Sequence, residues 1–249
     1  IRAAAGDPRL DGVVWQGRQY EGLTVNALEA IWANGARVLG ADGAPLPDPE
    51  RAASALAFMR ALITSGTSPS WVTAADEELS RRHFGDGRAI FLRNWPYAMD
   101  LFEGKDSAVR GKVAFAALPG RAHGEPGAGS TGGAHLGVSR RSRHPDLALA
   151  LARHLTSEAA QRAIALGAAL SPTRQSLYRD PELMRGHPAM PRLQALALAG
   201  RPRPVTPYYL LLSSTLQPEF SAVIVGVKPA ERAVADAGAR LRYFLEAIR

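Results

Sequence analysis

Short apolar runs alternate with longer stretches of helical periodicity along this chain, and that alternation limits the folds open to it. Val13 to Trp15, set between Asp11-Gly12 and Gly17, reads as a buried strand. Ala89 to Leu92, Lys112 to Leu118 and Leu136 to Ser139 read the same way. Between the first two runs, Leu28, Ile31 and Trp32 fall at helical spacing from Thr24 to about Ala33, and Gly35 stops that helix. Asp48-Pro49-Glu50 is a helix start, with an acid at the N-cap and proline in the first turn. Leu56, Met59, Leu62 and Ile63 give this helix its apolar face, and Gly66 ends it. Another helix is expected from Asp76 to Phe84. From Pro145 the chain reads as mostly helical: Asp146 to Leu155, a helix capped by Ser157 and ending near Gly167, His187 to Ala199, a segment around Phe220, and Pro229 to the end. In the last of these, Ala237, Leu241, Phe244, Leu245 and Ile248 make one stripe. Strands interleaved with helices over 249 residues predict an α/β or α+β architecture.

Several function classes lose their footing on composition. There is no cysteine, so disulfide scaffolds, thiolate metal sites and cysteine nucleophiles are excluded. The net charge of +7 invites a nucleic-acid reading, a basic helical module, but the arginines are spread along the chain. Arg140, Arg141 and Arg143, then Arg81 with Arg82, then Arg201 with Arg203 are the densest groups, and no single stripe tracks a phosphate backbone. No run approaches the ~20 apolar residues of a membrane helix. The chain opens Ile1-Arg2-Ala3 without a signal peptide, as a processed or truncated chain would.

Catalytic and cofactor motifs fare little better. Gly127, Gly129 and Gly132 satisfy G-x-G-x-x-G inside a loop of six glycines over residues 120–133, but the dinucleotide fingerprint needs a helix opening on its last glycine. A strand is expected there instead, so no cofactor is expected. His83, His123, His135, His144, His154 and His187 show no metal spacing, and no metal site is expected. No G-x-S-x-G elbow is present. Asp76, Glu77 and Glu78 are adjacent at a helix start, where acids suit the dipole. Adjacent residues on one helix point apart, so they are not the opposed carboxylates of a carbohydrate-active enzyme, though one of them can accept hydrogen bonds from sugar hydroxyls.

Phe91-Leu92-Arg93-Asn94-Trp95-Pro96-Tyr97 is the most informative stretch. A strand ends, and Pro96 biases Trp95 toward extended backbone, projecting an aromatic at the carboxyl end of the strand. Ligands of open α/β sheets sit there. Sugar rings present flat C–H faces that pack on indole and phenol. Composition alone favours Trp95 and Tyr97 as core aromatics.

The order and spacing of further segments point the other way. They are Trp15-Gln16-Gly17-Arg18-Gln19-Tyr20-Glu21-Gly22-Leu23, Phe84 to Gly87 leading into Arg93 to Tyr97, and Leu118-Pro119-Gly120. Thr131-Gly132-Gly133, Ser171-Pro172-Thr173 with Leu177-Tyr178, and Arg203-Pro204-Val205-Thr206-Pro207-Tyr208-Tyr209 follow. In these the chain resembles the trehalose/maltose-binding type of extracellular solute-binding proteins of ABC sugar importers, from about residue 11 to the end. It departs from that pattern at Ala134 and His135, where the family often places an aromatic.

The resemblance implies an α/β, periplasmic-binding-protein-like, two-lobed clamp, with the N-terminal lobe largely missing from this chain. Residues 1–118 would be the first part of the C-terminal lobe, 119–168 a segment returning to the N-terminal lobe, and 169–249 the helical second part. The function implied is capture of an oligosaccharide, a trehalose- or maltose-like α-glucoside, for a membrane permease. No catalysis and no nucleic acid enter, and a monomer is expected, periplasmic or anchored outside the cytoplasm. Trp95 would be the stacking platform, Tyr97 a neighbouring wall and Tyr20 a second ring. Glu77, or Glu78 one position on, would accept from sugar hydroxyls. Gly132 and Gly133 would let backbone approach the ligand, and Arg203 would donate a forked pair of hydrogen bonds.

Overall fold

A computed structural model describes residue 7 and residues 9–122, 124–168 and 170–247. Ile1-Arg2-Ala3, His123 and Ile248 lie outside the described residues. The chain divides into two compact units. One comprises the residues up to Ser130 together with those from Arg201 onward, and the other is Thr131–Gly200.

The first unit is built on two short parallel strands, β1 (Asp11–Val14) and β2 (Ala89–Leu92), in the register Asp11–Ala89, Val13–Phe91 and Val14–Leu92. Helices α1 (Glu21–Ala33), α2 (Pro49–Thr64) and α3 (Glu77–Gly85) lie between the strands in sequence, with a 3₁₀ turn at Ser70–Ala74, and α4 (Ala98–Phe102) follows β2. After the second unit the chain adds α9 (Tyr209–Val225) and α10 (Ala230–Ala247). A two-stranded sheet is too small to be stable alone, and here the helices supply most of the apolar burial. Leu23, Leu28, Ile31, Leu56, Phe220, Leu216, Ile224 and Leu241 meet in one core with Val14 and Trp15 of the first strand's exit.

Helix α1 is the centre of this unit, because ten of its thirteen residues are buried. Such a helix has no solvent side, so Thr24, Asn26 and Glu29 need hydrogen-bond partners inside the protein. Those partners organise the site described below. Gly35, at φ +77°, stops the helix as the sequence predicts. Gly226 closes α9 at φ +84°, and a Cβ there would lie 2.5 Å from the Arg60 guanidinium, which itself donates to the Ile224 carbonyl at 2.8 Å. Asp48 does precede α2, but its side chain accepts no capping bond. Asp76 does cap, taking the Leu79 N–H at 2.9 Å from an extended backbone that Asp48 lacks.

The second unit contains α5 (Pro145–Leu155), α6 (Glu158–Ala168), a 3₁₀ turn at Gln175–Arg179, α7 (Pro181–Gly186) and α8 (Met190–Ala199). Its core is small: Ala165, Leu177, Tyr178, Leu183 and Met190. Ser157 caps α6 through the Ala160 N–H at 3.2 Å, as expected. Asp180 caps α7, which the sequence reading did not separate from its neighbours, by accepting the Glu182 and Leu183 N–H groups, each at 2.9 Å. Helix α5 buries no residue at all.

Two expected strands do not form. Residues 112–118 and 136–139 are irregular, and Leu136 and Val138 are exposed. An apolar run is not enough without a continuous ladder: at the first stretch the Leu118 carbonyl takes the Gly127 N–H at 2.6 Å, beside a single Pro119–Pro126 bridge, and no ladder continues from it among the described residues. No helix opens on Gly132 either, since the next one begins at Pro145, so the glycine loop lacks the helix of a dinucleotide fingerprint. The two units divide at 130/131 and 200/201, and Leu177, Leu183 and Met190 pack with Ala165 in the small core of the second unit.

Phe220→Ala should lower the stability of the first unit by about 3–5 kcal/mol, because the ring is fully buried among α1, α2 and α10 side chains. Leu147→Ala on α5, where the side chain is 69% exposed, should change stability by less than about 0.5 kcal/mol. Denaturant unfolding of both variants reads the contrast.

Candidate functional site

Parallel strands place both of their carboxyl ends on one side, and the chain leaving each of them carries the polar and aromatic residues. Gln16, two residues beyond β1, is fully buried. Its amide nitrogen donates to Ser80 Oγ and to the Arg93 carbonyl, both at 2.8 Å. Its amide oxygen accepts from Asn26 Nδ2 at 3.1 Å and from Arg93 Nη1 at 3.2 Å. Every hydrogen-bonding position of this side chain is therefore used, and the four bonds join the exits of both strands to α1 and α3.

Arg93, the first residue past β2, meets Glu29 of α1 in a bidentate pair at 2.8 and 2.7 Å. The side chains are only 10% and 7% exposed. A planar fork on a carboxylate fixes orientation as well as charge. It sets the Arg93 guanidinium 4.5 Å from the centroid of the Trp95 ring. The same Glu29 carboxylate accepts the Ser130 N–H at 2.8 Å.

Around this base stands a rim of phenols, indole and acids. Glu77, at the first position of α3, accepts the Tyr20 hydroxyl on Oε2 at 2.6 Å and the Trp95 indole N–H on Oε1 at 3.2 Å. Asn94 braces the turn, donating to the Glu77 carbonyl at 3.0 Å and accepting the Trp95 N–H at 2.7 Å. Glu78 accepts the Tyr97 hydroxyl at 2.9 Å and pairs with Arg81 at 2.7 Å. Arg18 lies 4.7 Å from the Tyr20 ring centroid and pairs with Asp76 at 3.1 Å. Trp95, Tyr20 and Tyr97 are each half-buried, so none of the three rings is sealed into the core.

The electrostatics keep the phenols protonated. Burial first, and then the Glu77 carboxylate, push the Tyr20 hydroxyl well above its ordinary range. Burial and then Glu78 push Tyr97 up to about 12. Glu78 itself is held below the usual carboxylate range, led by the Arg81 hydrogen bonds. Each Glu77 oxygen uses one acceptor position on a neighbour and keeps another, and each phenol oxygen that donates can still accept.

Arg203 belongs to a second cluster at the start of α1. Its Nη1 donates to Glu21 Oε1 at 2.6 Å, and its guanidinium carbon lies 5.4 Å from the Tyr209 ring centroid. Tyr209 donates to the same oxygen at 2.6 Å, and the Ser213 hydroxyl takes the other oxygen. Gly132 and Gly133 belong to the second unit, where both are exposed, and a Cβ on Gly133 would meet no atom within 4 Å.

Of the residues singled out by sequence, the structure brings Tyr20, Glu77 and Trp95 into direct contact. It sets Tyr97 beside them on Glu78, so both acids of the 77/78 alternative are engaged. Sequence reasoning passed over Gln16, Glu21, Glu29 and Arg93 as site residues. Glu29 had a readable signal: a carboxylate inside Val25 to Trp32, a stretch otherwise nearly apolar, needs a buried partner.

A family model described as bacterial extracellular solute-binding protein matches residues 12–192. The probable ABC transporter-binding protein of Deinococcus radiodurans is 34% identical over 201 residues, which are 80% of this chain and 47% of that protein. Among solved structures, maltose-bound T. maritima MalE3 matches with a TM-score of 0.90 at 34% identity, over 98% of this chain and 62% of that one. The GacH receptor of Streptomyces glaucescens, described unliganded and with acarbose, gives a TM-score of 0.82 at 19% identity, over 97% of this chain and 61% of that one. A ribitol-bound ABC transporter solute-binding protein from Agrobacterium radiobacter gives 0.82 at 20%, over 96% and 61%. The last two show a shared fold. The chain thus spans about half the length of its curated relative and about three fifths of these structures.

Tyr97 provides a pH test. A phenol with a raised folded-state pKa holds its proton while the unfolded chain has lost it, so its contribution is complete below about pH 10 and is lost as pH rises toward about 12. Alkaline titration followed by phenolate absorbance should show a late-ionising component that disappears in Tyr97→Phe. Glu78→Gln should move that component part of the way back toward 10, because burial remains.

Proposed function

The chain belongs to the bacterial extracellular solute-binding proteins, and on that premise we propose that it supplies one wall of a clamp holding a neutral sugar for an ABC importer. The observation that carries this reading is the half-buried Trp95 ring, fixed at the strand exits between Arg93 and Glu77 and flanked by Tyr20 and Tyr97. A flat apolar ring edged with paired donors and acceptors suits a pyranose, whose C–H face needs dispersion contact and whose hydroxyls need partners.

Charge supports a neutral ligand. Arg18 pairs with Asp76, Arg81 with Glu78, Arg93 with Glu29 and Arg203 with Glu21. Glu77 takes its two bonds from neutral donors. An anionic ligand would have to break one of these pairs, whereas a polyhydroxyl ligand can add to them. The same pairing speaks against a nucleic-acid surface, which displays its arginines to phosphate. Relatives that are binding proteins speak against a carbohydrate-active enzyme.

The finer assignments are ours as well. Trp95 is the stacking face, Tyr97 and Tyr20 are flanking rings, and Glu77 accepts from a sugar hydroxyl. Arg203 donates after sharing Glu21, and Gly132 and Gly133 offer backbone to the ligand. The sugar is an α-glucoside of the maltose or trehalose kind. Residues 119–168 belong to a second lobe, and α5 favours that, since it buries no residue and leaves Leu147, Leu149 and Leu151 exposed. The working protein is a monomer outside the cytoplasm that hands its sugar to a membrane permease. Closure of two lobes then needs only ligand contacts on both to tip a near-balanced equilibrium.

The test is a thermal-shift panel of maltose, trehalose and ribitol on the full-length protein. A bound sugar at a hundredfold excess over its Kd should add about 2.7 kcal/mol of stability. No shift with any sugar or polyol would remove the reading. In the same assay Trp95→Ala should weaken the best ligand by about 1–3 kcal/mol while the protein stays folded. Unchanged affinity would make Trp95 a structural ring.

A further inference from the structure

A stacking platform contributes fully to affinity only if it is ordered before the ligand arrives, since otherwise ordering the ring subtracts from the binding energy. Trp95 is held at three points: its indole N–H on Glu77, its backbone N–H on Asn94, and the Arg93 guanidinium over one face of the ring. Glu77 and Asn94 belong to the rim itself. Arg93 does not hold its place unaided. It is fixed by both oxygens of Glu29 and by the Gln16 amide oxygen, groups that lie in the core.

Glu29 is 7% exposed, in the middle of α1, and none of its hydrogen bonds goes to a rim residue. We infer that Glu29 is a positioning residue for sugar binding: through its fork on Arg93 it fixes the tilt of the Trp95 ring and leaves a ligand only the face that Arg93 does not cover. This rests on the sugar-binding reading above for its consequence, although the placement of the ring can be tested without any sugar. The anchor also extends beyond the platform. The Glu29 oxygen that takes Arg93 Nη2 also takes the Ser130 N–H, and Ser130 pairs with Arg201, whose N–H donates to the Gly129 carbonyl at 2.8 Å. One carboxylate therefore secures the indole and the segment where the chain leaves and re-enters the first unit.

The experiment uses full-length protein labelled with 5-fluorotryptophan, with the Trp95 fluorine resonance assigned through Trp95→Phe. Three variants are compared. Glu29→Gln keeps the shape and loses the charged fork, and Arg93→Lys keeps the charge and loses the planar cation. Glu219→Gln is the control, because Glu219 is an acid equally out of water (3% exposed) that pairs with Lys228 and Arg240 in the helical core. Without ligand, the Trp95 resonance should move in Glu29→Gln and Arg93→Lys and stay put in Glu219→Gln, while the Trp71 resonance stays put in all three. Maltose affinity by calorimetry should fall about tenfold in the first two, within the range reached by residues that touch no ligand.

A Trp95 resonance unmoved in Glu29→Gln, or moved equally in Glu219→Gln, overturns the inference, because either result makes Glu29 an ordinary core acid. If Glu29→Gln does not fold, Arg93→Lys, which retains the opposite charges, decides the matter by the same resonance. Failure of the unmodified protein to bind maltose would count against the sugar reading alone, and the ligand-free fluorine result would still establish or refute the role of Glu29.

Discussion

Burying a carboxylate and a guanidinium together gains little stability over a well-packed apolar pair, because desolvation consumes most of the attraction. Glu29 and Arg93 nevertheless sit side by side in the first unit with about nine-tenths of each side chain out of water. What such a pair provides is register. Strands β1 and β2 have four residues each, too few for ladder bonds alone to define their offset firmly. A slip of one residue in β2 would carry Arg93 away from Glu29 and Gln16 and strand a buried charge, at a cost far larger than the ladder bonds at stake. The relative placement of α1, both strand exits and the N-terminus of α3 follows from that constraint.

On this base the rim residues hold one another by neutral-to-charged hydrogen bonds. Each of the half-buried rings Tyr20, Tyr97 and Trp95 donates to an acid, and Glu78 is paired with an arginine while Glu77 takes two such donors. Raised phenol pKa values keep these donors protonated to higher pH than a free phenol would reach. A surface of this kind is polar with its arginines paired, and flat without being greasy. Those are the two demands a sugar makes of a protein.

The sequence made the position of the aromatics legible through a simple chain of reasons. An apolar run ending in Arg93-Asn94 must stop being a strand, Pro96 keeps Trp95 extended, and parallel strand ends gather on one side. The helices were legible through periodicity and caps, down to Asp76 and Ser157. Apolar runs misled at residues 112–118 and 136–139, where no continuous ladder forms. Asp48 misled in a smaller way: the residue type suited an N-cap, but the backbone does not aim the carboxylate at the free N–H groups.

By itself, then, the sequence determined most of the longer helices, where two strands end and which aromatic and acidic residues emerge there, because these depend on local backbone preference and side-chain spacing. Tertiary structure alone decided that Tyr20 and Trp95 share Glu77, that Tyr97 takes Glu78, and that Arg203 answers to Glu21. It also decided that Arg93 is anchored in the core beneath the rim. These partnerships join residues from 18 to more than 180 positions apart, and no local rule fixes the distance between such residues until the helices have packed.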